Sequence, residues 1–572
     1  MSSAWLPLHP KTALRLEPAL LNVQRALFSL AAFGLLIAGC IQALTYAPGP
    51  LPSWLLGPIQ IITMAYLVAC VWRAKTASQA FWFAWTYGLG GFVVGLYWLT
   101  ISMHHYGGMP LALAVVALIF LSFYLAIFPG LSAWLVRVAN KNDRTPIACA
   151  LAWASAWTVG EWLRSTLFTG FPWMAIGYAH VDNWLASWAS IFGVYGVHFI
   201  AAFIAASVAI LLSPKQFQSR RLQSFITAMI GVALCVAGIG IKHIEWSTPV
   251  GQPLIVRIVQ GNVEQGTKFL ASQVIPSIRH HLQLAQSSLR EDTATQHLDR
   301  NPPSTSSGSR QPQLILLPET VIPVFQYQLD PSVWHAWRQL ATNTGSVIMM
   351  GVPLRDRTTQ THTNSVIRMD RASDLVPASA PRPGHRYDKH HLVPFGEFIP
   401  WGFRWFVNMM AIPLGDFDRG AKQQQPFQVA DQRVAPNICY EDVFGEELIP
   451  ALHTGPDGQP GATILANFSN LGWFGDTWAL RQHWQMARMR AIETARPMLR
   501  ATNTGISGAI GVHGESLGQL PSARSGVLDL RIQGREGLTP YARAGNIPIL
   551  LICLLTITLC WIRSRRSAKR LA

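Results

Sequence analysis

Cys439 differs from the other cysteines of this chain by its surroundings. Cys40, Cys70, Cys149, Cys235, Cys553 and Cys560 all lie inside long apolar runs. Cys439 sits in a polar region, in "NICYEDVFG", directly after a strand-like apolar stretch and directly before Tyr440, Glu441 and Asp442. Two further segments carry polar residues hard against apolar ones: "LILLPETVIP" with Glu319, and "HRYDKHHLVPFGEFIP" with Lys389 and Glu397. A thiol, an ammonium and a carboxylate are enough for thiol acyl transfer. The thiolate is the nucleophile and needs a base or a positive neighbour to exist at neutral pH. A carboxylate can take its proton, and a lysine ammonium can stabilise the oxyanion of a tetrahedral intermediate. A second carboxylate can set the lysine's charge or handle the leaving group's proton. Taken singly, each residue has a plain structural use, as a small buried hydrophobe, a neighbour of a helix start or a solvated surface cation. Their common setting and their order, Glu then Lys then Cys, join them.

The elements around them read as an α/β domain. Buried strands are expected at 253–260, 314–318, 346–352 and 462–467, and helices at about 274–290, 332–343 and 478–496. Strands alternating with helices point to a central sheet, and ligand sites of such sheets gather beyond the carboxyl ends of the strands. Glu319 and Cys439 both fall at such ends. The stretch 292–313, rich in Pro, Ser and Gly, reads as a disordered surface insertion. "GWFGDT" (472–477) reads as a loop over the site, and "PLGDFDRG" (413–420) as a second loop near the bilayer.

The rest of the 572-residue chain is membrane-like. Half of its residues are hydrophobic, 13% are charged and 22 are Trp, which is too apolar for a soluble protein of this size. Spans are expected at about 26–46, 54–72, 79–102, 110–136, 147–163, 186–213, 223–241 and 547–562, each near the ~20 residues that cross a bilayer core. The loop charges alternate. Lys11, Arg15 and Arg25, then Arg73 and Lys75, then Arg137, Lys141 and Arg144, then Lys215, Arg220 and Arg221, and finally "RSRRSAKR" fall on one side, and the intervening loops carry no Lys or Arg. This is the positive-inside pattern. It places both termini in the cytoplasm and the polar domain outside it, and it assigns much of the net charge of +16 to topology, which removes most of the case for nucleic acid; no nucleic-acid partner is expected. The expected organisation is a transmembrane bundle of about seven spans (1–245), a non-cytoplasmic catalytic domain (246–543), and a last span with a basic tail (544–572). "LIAGC" (36–40) has the form of a lipoprotein signal-peptidase box, but in this context it reads as small-residue helix packing. Glu161 and Arg164, three apart near the outer end of the fifth span, read as an ion pair locking that span to the outer domain, with lipid headgroup contact as the other reading.

"VQGNVEQGTKF" (259–269), "PETVIP" (318–323), "LVPFGEFIP" (392–400), "ICYEDVFG" (438–445) and, in the membrane part, "GEWLRSTLFTGFPW" (160–173) together resemble the membrane-fused branch of the nitrilase (carbon–nitrogen hydrolase) superfamily, the apolipoprotein N-acyltransferase family. The resemblance implies a polytopic helical membrane protein with an inserted nitrilase-like α-β-β-α sandwich. It implies Glu319 as general base, Lys389 as oxyanion support and Cys439 as nucleophile, with Glu397, Tyr440 and Glu441 matching further residues of the site. Phe269 stands where the family often has Trp, keeping an aromatic ring without an indole N–H. Trp473, with Phe474 and Trp478, is expected to meet acyl chains, the bilayer surface or the core. The implied reaction is ping-pong transfer of an acyl chain from a phospholipid, phosphatidylethanolamine, to the N-terminal amine of a diacylated apolipoprotein at the bacterial inner membrane, with a periplasmic site and no cofactor.

Neither the His104–His105 nor the His390–His391 pair has a ligand set around it, so no metal is expected. Two other readings remain on the residues alone: a membrane-tethered amidase or nitrilase that hydrolyses a C–N bond with water as acceptor, and a transporter with a non-catalytic domain.

Overall fold

Apolar strands flanked by helical segments fold in this chain into two facing sheets. The computed structural model describes residues 16–46, 51–140, 145–213, 217–288, 311–356, 358–371, 386–404 and 416–571. The insertion expected at 292–313 lies outside the described residues except for 311–313, as do 413–415 and the basic residues Lys11, Arg15, Lys141, Arg144 and Lys215.

One six-stranded sheet runs β13-β2-β3-β4-β5-β6, and its ordered members include β2 (Leu254–Gln260), β3 (Leu314–Leu316), β4 (Val347–Arg355), β5 (His362–Met369), β6 (Arg386–Asp388) and β13 (Gly526–Ile532). The other runs β12-β11-β10-β9-β8-β7, with β8 (Gln432–Ile438), β9 (Ile464–Ser469) and β10 (Met498–Thr502) parallel at its centre and β7 (Phe427–Val429), β11 (Gly508–Ile510) and β12 (Ser516–Gln519) outside them. Val256, Ile258, Leu316 and Met349 of the first sheet share one core with Val434, Ile438, Ala466 and Phe468 of the second, the inward alternation of a packed sandwich. The helices Ala271–Gln286 and Pro331–Thr344 cover the outer face of the first sheet through Val274, Ile278, Trp334 and Trp337. The helix Trp478–Thr494 covers the second through Trp484, Ala487 and Ala491. The layer order is therefore α-β-β-α, as expected.

The chain is a polytopic membrane protein into which this domain is inserted. Its bundle helices are Leu16–Ala43, Ser53–Arg73, Ala77–Gly95, Leu111–Ala139, Pro146–Thr166, Ala189–Leu212 and Arg221–Lys242, and Ile547–Leu571 returns to it after the sandwich. Eight spans were expected. Among the described residues five helices are long and apolar enough to cross a bilayer, or six if the bent pair Ala77–Gly95 and Leu99–Tyr106 counts as one span. Pro146–Thr166 falls outside that set for a physical reason. It is buried on most faces by its neighbours and carries Glu161 and Arg164, so it need not be lipophilic. The third expected span, 79–102, is broken, its two pieces meeting at 56°.

The helix Trp478–Thr494 joins the two parts. One face packs on the sheet, and on the other Ala479, Met486, Met489 and Ile492 belong to the core of the bundle. Gln482 makes the polar seam. Its Oε1 accepts from the indole N–H of Trp98 (3.1 Å) and of Trp173 (2.7 Å), and its amide donates to the Gly95 carbonyl (3.1 Å).

Candidate active site

Glu319 lies three residues beyond the parallel strand β3, where Leu317 still bonds to β4 and Gly351 of β4 donates to the Pro318 carbonyl (3.1 Å). The chain passes so close that a Cβ at Gly351 would stand 2.5 Å from the Glu319 Cα. Thr320 takes a left-handed φ of 55° to turn away. Lys389 follows the short strand β6 and is tied by its N–H to the Asn364 carbonyl (2.8 Å). Cys439 follows β8 and opens a tight turn, Cys439–Val443, with its own φ at 51°. That conformation is costly for a residue with a Cβ and marks functional turns.

Lys389 Nζ is 2.8 Å from Glu397 Oε1 and 3.5 Å from Glu319 Oε1, with all three side chains buried. Asn364 Nδ2 donates to both of those carboxylate oxygens at 2.7 Å. The second oxygen of Glu319 accepts the Asn470 N–H (2.9 Å), and that of Glu397 accepts the Val393 N–H (2.8 Å). Each carboxylate is thus held at both oxygens. Burial works against the Lys389 charge, but Glu397 and Glu319 outweigh it and hold the ammonium above the ordinary lysine range. Burial first, and then Glu319, push the Cys439 thiol well above its ordinary value, with Lys389 pulling the other way. Cys439 therefore rests as a thiol within electrostatic reach of a carboxylate base and a permanent cation.

The other expected residues are placed differently. Glu441 does not join the carboxylate–ammonium cluster. Its oxygens accept the N–H groups of Ile438 (2.6 Å), His390 (2.6 Å) and His391 (3.1 Å) and the Tyr387 hydroxyl (2.9 Å). It clamps the lysine segment to the Cys439 turn. Tyr440 points into the bundle, where its hydroxyl donates to the Gly170 carbonyl (3.2 Å) and its ring stacks on Trp173. Phe269 and Trp473 stack on each other at 6.3 Å, and Trp473 meets the edge of Tyr106. Glu161 and Arg164 form an ion pair, and Arg164 also donates to the Trp173 carbonyl (2.7 Å), fixing the loop on which Tyr440 rests.

Several functional-looking residues escaped the sequence reading. Asn364 bridges both carboxylates. Asn470 bonds Glu319 through its backbone and Gln265 through its side chain (2.7 Å). Lys268 is buried with its ammonium on the Glu319 carbonyl (3.3 Å), and burial pulls it down to about 8 against the opposing pull of Glu319. Its signal was a lysine inside the quoted "QGTKF". Asp442, His483 and Arg500 form a further buried cluster behind Cys439. Among the described residues no group of three or more His, Cys, Asp or Glu side chains is placed to hold a metal ion.

Comparison with known proteins gives two successive matches. Residues 38–207 match the model of the apolipoprotein N-acyltransferase N-terminal domain, and residues 256–541 match that of carbon–nitrogen hydrolases. The chain is similar to an apolipoprotein N-acyltransferase of Bordetella bronchiseptica, 47% identical over 92% of this chain and 96% of that protein. It is also similar to one of Ralstonia nicotianae, 42% identical over 93% of each. Among solved structures, a carbon–nitrogen hydrolase superfamily protein of Xanthomonas campestris aligns with 53% of this chain and 97% of its own, at 16% identity and a TM-score of 0.34.

Proposed function

The chain belongs to the apolipoprotein N-acyltransferase family, and on that premise we propose how its site moves an acyl chain. Glu319 takes the proton of the Cys439 thiol. The thiolate attacks the carbonyl carbon of a phospholipid ester, and the oxyanion so formed is stabilised by the Lys389 ammonium. The carbonyl re-forms, the ester C–O bond breaks, and Glu319 returns the proton to the departing lysophospholipid oxygen. The α-amine of a diacylglyceryl-cysteine then attacks the thioester, Glu319 takes the amine's proton, the C–S bond breaks, and the proton returns to the thiolate. The product is an amide and a free thiol. A thioester suits two such acceptors, because it keeps the acyl group reactive while one leaves and the next enters.

The observation that carries this reading is the cluster of Glu319, Glu397 and Lys389, tied by Asn364, within electrostatic reach of Cys439. Glu397 keeps Lys389 charged and aimed. Because the resting thiol is hard to ionise, base and cation must act together at the moment of attack. Both substrates carry lipid chains, so a site fused to a bundle meets them where they reside. The donor is taken to be phosphatidylethanolamine. The loop charges of the sequence argue for an inner-membrane protein with a periplasmic catalytic domain and both termini in the cytoplasm. Hydrolysis of a soluble amide is not favoured, since family and relatives match through the bundle as well as the catalytic domain.

The test uses the full-length protein in vesicles of phosphatidylethanolamine with a diacylated lipopeptide. The expected result is N-acylated lipopeptide and lysophospholipid in equal amounts, with little turnover when the lipopeptide is omitted. Continuous release of free fatty acid at the same rate without lipopeptide would mean that water is the acceptor, and would overturn the reading. Equal rates from phosphatidylglycerol vesicles would overturn the donor assignment.

A further inference from the structure

The nucleophile turn has a second set of charges on its far side. Asp442, three residues after Cys439, is fully buried. One of its oxygens accepts from Arg500 of β10, and the other pairs with His483 Nε2 on the helix Trp478–Thr494. Arg500 also approaches His483 Nδ1 at 3.0 Å. A guanidinium can only donate, so Nδ1 accepts, and the single imidazole proton sits on Nε2 and is donated to Asp442. His483 is therefore neutral and in one tautomer. Burial pulls the imidazole below its ordinary value against the opposing pull of Asp442, in agreement with that assignment. Burial pushes the Asp442 carboxyl up, but His483 and Arg500 outweigh it and hold it below its ordinary range as an anion. The His483 ring stacks on Trp173 at 5.5 Å, the same indole that stacks on Tyr440.

We propose that Asp442, His483 and Arg500 are positioning residues that seat the Cys439 turn and balance an anion against a cation directly behind the thiol. The proposal rests on Cys439 being the nucleophile. Glu319, Glu397 and Lys389 act on that thiol from the front, and Asp442 from its own turn. Asp442 is faced in turn by His483, Arg500 and Arg490. If the rear cluster only filled space, neutralising either member of the Asp442–Arg500 pair would disturb Cys439 in the same sense. If it sets the local field, the two substitutions act with opposite sign. Removing the anion eases ionisation of the thiol, and removing the cation, which leaves the Asp442 charge less balanced, hinders it.

The experiment is the pH profile of Cys439 alkylation by iodoacetamide, resolved by peptide mass spectrometry on the full-length protein in detergent, with thermal melting as the check on folding. Asp442→Asn is expected to move the half-alkylation pH down by roughly half a unit to one unit, and Arg500→Gln to move it up by a similar amount. His483→Gln exchanges one neutral group for another. It is expected to leave that profile in place while lowering kcat for acylation about tenfold, with KM little changed. Shifts of the same sign for Asp442→Asn and Arg500→Gln would overturn the proposal, as would no shift in folded protein. If neither neutral variant folds, His483→Gln decides alone: a displaced profile, or an unchanged kcat, would overturn it. Since alkylation needs no lipid, failure here is distinguishable from failure of the acyl-transfer reading, which appears as absence of an acylated Cys439.

Discussion

Replacing Lys389 by Met would leave Glu319 and Glu397 facing each other across one buried amide, that of Asn364. The two carboxylates would lose the cation between them, and so would the oxyanion. The expected outcome is a fall of at least ~10²-fold in the rate of acyl-enzyme formation, measured by single-turnover release of lysophospholipid, with the variant still folded. A loss of less than about threefold would remove Lys389 from the chemistry. At this scale the sequence was informative for groups whose type announces a reaction. Glu319, Lys389, Glu397 and Cys439 were singled out, and three of them meet in one hydrogen-bonded cluster. Asn364 was not legible. It sits inside "HTNSVIRM", where an asparagine could as well face solvent, and only the fold shows that its amide spans two carboxylates. Glu441 and Tyr440 were legible as important but not as what they are, a backbone clamp and a tie to the bundle.

At the scale of elements, the register between β3 and β4 decides where Glu319 stands. Both Leu317 and Val321 bond to β4, and Gly351 lies under the carboxylate residue between them. A Cβ there would meet the Glu319 Cα at 2.5 Å and the Thr320 nitrogen at 2.6 Å, both backbone atoms that cannot swing aside. Gly351→Ala is therefore expected to displace Glu319 and to lower kcat by about 10- to 100-fold. Melting should fall by only a few degrees, because the strand core of Ile348, Met350 and Val352 is unchanged. Wild-type activity in the alanine variant would show that the backbone relaxes and that this close approach does not position the base. Continuous apolar runs made the central strands 254–260, 314–316, 347–355 and 464–469 legible to within a few residues. The short strands β6 and β7 have no such run and take their pairing from the neighbouring strand. The break in the third span was hidden because the apolar composition continues across it, while the chain bends by 56°.

For the whole molecule, the catalytic sandwich is docked on the bundle through the helix Trp478–Thr494, the Cys439 turn and the loop around Gly170 to Trp173. Bundle and sandwich were both legible from hydropathy and strand pattern. Their docking was not, because Gln482, Trp98 and Trp173 are far apart in the chain and only the folded seam joins their hydrogen bonds. This arrangement places Cys439 one residue from a side chain bonded to the membrane part. The most direct test is intact-protein mass spectrometry of the full-length chain after incubation with phosphatidylethanolamine vesicles and no acceptor, for wild type and for Cys439→Ala. The account predicts a single fatty-acyl adduct on wild type, removed by neutral hydroxylamine as a thioester is, and no adduct on the alanine variant. An absent adduct on folded wild-type protein, or an equal adduct on Cys439→Ala, would contradict it.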